Sequence, residues 1–453
     1  MSRRCRAGAP GAAQGSFRSS DVDLKVSDEQ MVLSQLARQV LPAGTFGNMP
    51  TPIIIREGRG GRVWDISGNE YVDYLLGSGP MFVGHAHPEV TAAVIEQVGR
   101  GSTFFADNEP GIRLAAEIVE AVPCAEQVRF ASTGTEADAY AMRLARAFRK
   151  RDKILKFEGG YHGMSDYGLM SLAPTALSNS MQPIADSAGI PANVRDNMLI
   201  APYNDLKAVQ RLIHAHHDEI AGVIVEPMQR LIPPAPGFLQ GLRDITTEYG
   251  IVLIFDEVVT GFRLSYGGGQ TYYGVTPDVC TMGKMIGGGY PLSAIAGRAD
   301  IMAHFDKARV GEAGFMMQIG TLSGNPIAAA AGLATLAILK RPGTYENVFE
   351  TGRTLMAGLD SSLRKAGIPA IVLGEPVMFD AVFTDSPTVT DYRGTLNANK
   401  AVSRAFNDIV RQRGVFKNDG KIYMSMAHDA RDIEHTIAAF DYAAQRVAEM
   451  VPA

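Results

Sequence analysis

The sequence predicts an α/β protein: a large domain with a mostly parallel sheet and helices on both faces, plus a smaller α+β domain. Three observations predict it. Between Val128 and about Pro342, apolar β-branched runs alternate with amphipathic helical stretches, the pattern of parallel strands joined by helical crossovers. Beyond Pro342 that alternation stops, and a long helical stretch is followed by isolated strand-like runs. At 453 residues the chain also exceeds what one hydrophobic core organises. The expected division is a disordered tail over 1–27, a segment over 28–75 packing with the small domain, a large domain over 76–342 and a small domain over 343–453.

Each element follows in chain order. Helical periodicity covers Asp28 to Val40 and stops at Leu41-Pro42-Ala43-Gly44. Ile53-Ile54-Ile55 precedes the glycine-rich connection Glu57 to Gly61 and the run Val63-Trp64-Asp65-Ile66. Gly68-Asn69, just before Tyr71-Val72-Asp73-Tyr74, signals a tight hairpin. Pro88 opens a helix to about Val98, since the N–H it lacks would be unpaired at a first helical position. Val128–Ala131 reads as a strand, Glu136–Lys150 as a long amphipathic helix and Ile154–Phe157 as the next strand. Ala221–Glu226, a helix from about Phe238 to Tyr249 and Ile251–Phe255 form a strand–helix–strand unit. Short strands are expected at Cys280–Met282 and Ser293–Ala296, and alanine-rich Ile327–Leu339 reads as a buried helix. In the C-terminal part Glu346–Lys365 is helical, with strands over Ile371–Thr384 and Ile422–Met426.

Composition excludes several classes. Apolar residues make up 46% and charged residues 20%, the balance of a soluble enzyme. A net charge of −5 gives no footprint for nucleic acid, and no apolar run of about 18 residues exists to span a bilayer. Cys5, Cys124 and Cys280 are scattered and odd in number, which argues against a disulfide framework and for a reducing cytoplasm. The first 20 residues hold Arg3, Arg4, Arg6 and Arg18 and no acid; a disordered tail is expected there in preference to an organellar transit peptide.

The chemistry concentrates where strands end. Lys284 lies in Met282-Gly283-Lys284-Met285-Ile286-Gly287-Gly288-Gly289, and Asp256 closes the apolar run Ile251–Phe255. A lysine that forms a Schiff base and a carboxylate that holds a protonated pyridine nitrogen are what pyridoxal 5'-phosphate (PLP) asks of a protein. A carboxylate ending an apolar strand is costly unless paired, and the flanking glycines leave room for a bulky group on Lys284. Ser132-Thr133-Gly134-Thr135 lies between a strand and a helix, where free N–H groups suit a phosphate or serve an ordinary helix cap. Tyr161-His162 follows Glu158-Gly159-Gly160, and an aromatic there suits stacking on a flat ring or simply fills a loop. No metal is expected: His214, His216 and His217 read as a polar helix face. Gly267-Gly268-Gly269 has no Walker lysine, and no Gly-x-Ser-x-Gly elbow is present.

The chain resembles the class III aminotransferases of PLP fold type I, and within them is most similar to glutamate-1-semialdehyde 2,1-aminomutases. The resemblance rests on Trp64–Asp73, Gly84–Val90, Thr133–Ala137, Lys156–Gly163, Phe255–Arg263, Met282–Gly289 and Gly320–Pro326, and runs from about residue 30 to 445. It implies a large domain with a seven-stranded, mostly parallel sheet. It implies that Thr133, Gly134 and Thr135 hold the cofactor phosphate, that Tyr161 stacks on the ring beside His162, and that Val258 packs its other face. Asp256 is then the partner of the pyridine nitrogen, Lys284 the Schiff-base lysine and Glu226 an acid near the cofactor. Thr321 is expected to reach the phosphate of a neighbouring subunit, which implies a homodimer with shared sites.

Departures from the aminomutases bear on function. Where they carry a carboxylate-gripping arginine, this chain has Thr45-Phe46-Gly47-Asn48-Met49. Met228–Pro234 is compressed, and Gly414–Gly420 lacks their Phe-Glu pair. Amino-group transfer from an amine or amino acid to a keto acid or aldehyde is therefore expected. A semialdehyde-aminomutase-type isomerase, a PLP racemase or epimerase, and a non-catalytic scaffold are the alternatives. Arg230, Arg263, Arg393 or Lys417 could supply a substitute cation. Phe46, Met49, Met81 and Phe82 read equally as an apolar pocket wall or as core packing.

Overall fold

The structure, a computed structural model, describes residues 24–49, 51–175 and 182–450. The expected tail falls outside the described residues except for 24–27. Strands β1 (Ile55–Arg59), β2 (Arg62–Asp65) and β3 (Glu70–Asp73) form a meander, with the predicted hairpin turning at Gly68-Asn69 between the last two. The expected connection over Glu57–Gly61 is mostly strand, because β1 pairs with β2 as far as Arg59↔Arg62 and the turn is confined to Gly60-Gly61.

The large sheet uses β4 (Gln127–Ala131), β5 (Lys153–Phe157), β6 (Met198–Ala201), β7 (Ile220–Val225), β8 (Val252–Asp256), β9 (Val279–Met282) and β10 (Ser293–Gly297). It is seven-stranded in the order β4-β10-β9-β8-β7-β5-β6. All neighbours run parallel except β10, which is antiparallel to β4 and β9. Every residue of β7 and β8 is buried, as continuous apolar strands covered on both faces must be. The helix Gly134–Arg149 lies against β7, β8, β9 and β10 with Ala137, Ala141, Leu144 and Ala145 turned inward. The buried helix Pro326–Leu339 packs on Pro88–Arg100 and Glu109–Ala121.

Glu109–Ala121 and β6 were not anticipated. The helix had an N-terminal signal in Asn108, whose side chain accepts from Gly111 N–H, with Pro110 just inside. β6 is a short edge strand aligned by its pairing with β5, which only the assembled sheet supplies.

In the C-terminal part, β11 (Ile371–Glu375) and β12 (Met378–Val382) form a hairpin where one strand was expected, since the chain reverses at Pro376-Val377. β13 (Val415–Phe416) pairs parallel with β3, so the N-terminal meander and the C-terminal part share a sheet. β14 (Ile422–Tyr423) joins β12, and the expected strand ends there because its ladder runs only from Tyr423↔Met378 to Ile422↔Phe379. Among the described residues no helix is long and apolar enough to cross a membrane.

The consequence for function is positional. Strands β4, β5, β7, β8 and β9 share one direction, so Thr133, Glu158, Glu226, Asp256 and Lys284 all emerge at one edge of the sheet.

Candidate active site

Lys284 follows β9 after extended Gly283 and opens a short 3-10 turn. Its φ of 50° lies in the left-handed region, which a non-glycine residue enters only when its surroundings enforce it. Burial lowers the pKa of its amine, and the positive charges of Lys421 and Arg263 add to that against the pull of Tyr423 and Asp256.

Asp256 is sealed at the end of β8. Its Oδ2 lies 2.8 Å from His162 Nδ1, and its Oδ1 accepts the Val258 N–H at 3.0 Å. Behind it, the Thr281 hydroxyl donates to Asp138 Oδ1 at 2.6 Å and lies 3.5 Å from Asp256 Oδ1. Burial, and then the negative charge of Asp256, push the Asp138 carboxyl well above the usual aspartate range. Asp138, His162 and Asp256 present their ligand atoms within 4.8 Å of one another. The Thr281 hydroxyl lies between Asp138 Oδ1 and Asp256 Oδ1, and His162 Nδ1 engages Asp256 Oδ2.

The buried Nε2 of His162 has no partner. An ideal Cβ at Gly160 would lie 3.1 Å from it and 3.6 Å from the likewise unpartnered Gln229 Oε1, so the nitrogen faces the Glu158–Gly160 loop.

Tyr161 is held by its backbone N–H, which donates to Glu226 Oε2 at 3.0 Å. The ring is half-buried under the Arg230 guanidinium, 5.1 Å from its centroid. The loop comes back onto Thr135: its Oγ1 accepts the Met164 N–H at 3.1 Å, and a Cβ at Gly163 would lie 2.5 Å from the Thr135 Cα. Only glycine, here at φ 75°, allows that approach.

Thr133 caps the helix Gly134–Arg149 through a full capping box with Glu136, so its hydroxyl is already engaged. The N–H groups of Gly134 and Thr135 remain at the helix start, where an anion is the natural acceptor. Val258 stands between the two loops, 3.0 Å from an ideal Cβ at Gly134 and 3.3 Å from one at Gly283. The structure thus brings Thr133, Gly134, Thr135, Tyr161, His162, Glu226, Asp256, Val258 and Lys284 together. Thr321 stands apart: it is exposed in a separate cleft of about 400 Å³ with Phe104, Phe105 and Ile319.

The substitute cations divide cleanly. Arg393 is spent on Glu158 at 2.7 Å and Lys417 on Asp380 at 2.8 Å. Arg263 is fully buried, donating to the carbonyls of Val259 and Gly79. Arg230 remains beside the cleft. The four apolar candidates are no single wall. Phe82 is core, Met49 packs near Val63 and Tyr71, Phe46 is exposed, and Met81 alone abuts the site at Gly289.

Three residues were missed. Asp138 was detectable, sharing the inward helix face with Ala141, Met142 and Ala145. Thr281 pairs with Asp256 only through strand register, and Lys421 carried no pattern at all. Gly267–Gly269 serves an internal anion: Glu257 accepts the N–H of Gly269 and of Gln270 and the Thr260 hydroxyl. Of the histidine cluster, His216 pairs with Glu219 at 2.8 Å on the surface.

A sequence profile of the family described as Aminotransferase class-III matches residues 44–428. The chain is similar to a glutamate-1-semialdehyde 2,1-aminomutase of Heliobacterium modesticaldum, 40% identical over 94% of this chain and 98% of that one. It is similar in structure to an omega-transaminase from Sphaerobacter thermophilus, with a TM-score of 0.87, 36% identity and coverage of 93% and 98%. A transaminase with PLP bound superposes with a TM-score of 0.86 at 28% identity, covering 94% of this chain and 99% of that one. The chain belongs to the class III aminotransferases, PLP-dependent enzymes of fold type I.

Proposed function

We propose that this enzyme transfers an amino group from an amine or amino acid to a keto acid or aldehyde. The observation that carries it is Lys284, a buried amine with lowered pKa at the same sheet edge as the Asp256–His162 pair.

The residues fit the cofactor. The open N–H groups of Gly134 and Thr135 at the helix start are donors suited to its phosphate. Gly134 and Thr135 would hold the phosphate, Tyr161 and Val258 would flank the ring, and Asp256 would face its nitrogen. When bound, PLP supplies a carbonyl that takes up amines and a ring that accepts electrons. The chain supplies the rest. His162 and the Val258 N–H fix the Asp256 carboxylate, and the raised Asp138 keeps a second charge away from it. Burial favours the neutral form of the Lys284 amine, which can accept a proton from the substrate carbon and later return one. Glu226 orients Tyr161 through its backbone.

An aminomutase-type isomerase is the second reading, favoured by the Heliobacterium relative. Against it, Asp419, the acid of the Gly414–Gly420 stretch, is exposed beside Arg411. A donor titration of the purified holoenzyme decides between them. Loss of the visible cofactor band with an amino donor, and its return with a keto acid, is the expected result. Isomerisation of glutamate-1-semialdehyde without any acceptor, and no response to donors, would overturn it.

A homodimer with shared sites belongs to this proposal. Exposed Phe104, Phe105, Ile319 and Leu322 surround Thr321, an apolar surface suited to a second copy. Light scattering at twice the chain mass is expected.

A further inference from the structure

The cleft holds more positive charge than it can pair internally. Lys284, Lys421, Arg230 and Arg263 act on one another there, with Glu226 and Asp256 as the nearby acids. Both acids are occupied, Asp256 by His162 and Glu226 by the Tyr161 N–H. Among the described residues no carboxylate forms an ion pair with Lys421, Arg230 or Arg263. Cations withdrawn from water without a counter-ion are unfavourable unless an anion arrives.

The geometry says where. Lys421 ends the tight Asn418–Lys421 bridge just before β14, and its Nζ stands 5.9 Å from the Tyr423 ring centroid. The Arg263 guanidinium lies 5.0 Å from the same ring. Arg263 is sealed: Nε and Nη2 donate to the carbonyls of Val259 and Gly79, Nη1 has no partner, and its charge acts on Lys421 from behind. Arg230 donates Nε to the Gly159 carbonyl at 3.2 Å and lies over Tyr161. Lys421 is half-buried, and its ammonium has no hydrogen-bond or ion-pair partner among the described residues.

We propose that Lys421, flanked by Arg230, anchors the carboxylate of the substrate, so that this enzyme works on amino and keto acids in preference to simple amines. This rests on the aminotransferase reading and adds its substrate class. It also answers the missing cation at Thr45–Met49 from the opposite end of the chain. Burial, then the charges of Arg230 and Arg263, lower the Lys421 amine to about 8, and an arriving carboxylate stabilises its protonated form.

The test uses holoenzyme and donor pairs differing by one carboxylate: alanine and ethylamine, 3-aminobutanoate and 2-aminopropane, 4-aminobutanoate and propylamine. The readout is the ratio of rate constants within each pair, in which a general loss of activity cancels. Wild type is expected to favour the acid in at least one pair. Lys421→Met should cut that ratio about 10- to 100-fold, the loss of one charge-assisted hydrogen bond, and Lys421→Arg should retain most of it. Butanoate, which has no amine, is titrated by its effect on the visible band. Binding that Lys421→Met weakens by a similar factor supports the anchor even if no donor is converted, an outcome that sinks the transfer reading alone. A ratio untouched by Lys421→Met, or butanoate binding absent or equal in both proteins, overturns the proposal.

Discussion

His162 Nδ1 lies 2.8 Å from Asp256 Oδ2, and both side chains are sealed at the end of β8. The histidine holds the carboxylate in place, and the Val258 N–H takes its other oxygen. Asp256→Ala should therefore lower kcat by roughly 10²- to 10³-fold, the scale of losing an oriented electrostatic group at a reacting centre. His162→Ala removes a partner from a buried carboxylate and should cost about 1–3 kcal/mol of stability as well as activity. Chemical denaturation alongside single-turnover rates checks both. Equal rates for Asp256→Ala and wild type would remove Asp256 from the chemistry.

Asp138 gives a pH prediction with a definite sign. Its folded carboxyl is raised by burial and by Asp256, so the folded state holds its proton more tightly than the unfolded chain does. The stability this proton confers is complete below the ordinary aspartate range and is lost as pH rises through the raised value. Asp138→Asn keeps the shape without the titration. Its stability relative to wild type should grow as pH rises from 4 towards neutrality, measured by urea unfolding across that range. A difference independent of pH would show that Asp138 does not carry the proton.

Much of the site was legible because strand ends announce themselves. Asp256 and Lys284 stand where apolar runs stop, and Gly283 with Gly287–Gly289 around Lys284 marks the end of its strand. Residues acting across the sheet were not legible. Thr281 meets Asp256 because β8 and β9 align in parallel, and Lys421 comes from the bridge just before β14, over 130 positions downstream of Lys284 in the chain. Local pattern carries no information about such register. The same holds for the fold: long helices such as Asp28–Val40 match their periodicity to the residue, whereas β6, four residues long, depends on β5 beside it. The expectation for Ile371–Thr384 failed in the same way, since one apolar run reads alike whether it continues or folds back at Pro376-Val377.

The apoenzyme should resent its own lysine. Lys284 is lowered in the folded state, so the cost of burying its charge is complete below the folded value and fades as pH rises towards that of free lysine. Apo Lys284→Met is expected to be more stable than apo wild type at pH 7, with the gap closing by about pH 10. Thermal unfolding of both proteins across that range measures it. A gap that widens with pH would mean that the amine is not desolvated.

Glu257 ties the Gly267–Gln270 loop to the back of the site. Its buried carboxylate accepts the N–H of Gly269 and Gln270, the Gln270 side-chain amide and the Thr260 hydroxyl. Burial raises its pKa and those donors oppose the rise, so it is a buried acid held by hydrogen bonds without a cation. Glu257→Ala strands several donors at once and should cost at least about 3 kcal/mol. A loss below 1 kcal/mol in urea unfolding would mean that the loop finds other acceptors.

Gly134 and Val258 form a paired test of how the helix start meets its ligand. An added methyl at Gly134 would lie 3.0 Å from Val258 Cγ1, and Val258 is stiff at χ1. The clash has two outlets: Val258 shifts towards Gly283, which it already approaches, or the helix start with its Gly134 and Thr135 N–H groups moves. Either disturbs groups assigned to the cofactor. Gly134→Ala should therefore weaken PLP binding about tenfold, the cost of a strained contact of 1–2 kcal/mol. Val258→Ala removes the opposing methyls and should restore most of that affinity in the double variant. Cofactor titration of the apoproteins gives all the corners of the cycle. Additive losses in the double variant would mean that the two side chains do not compete for this space.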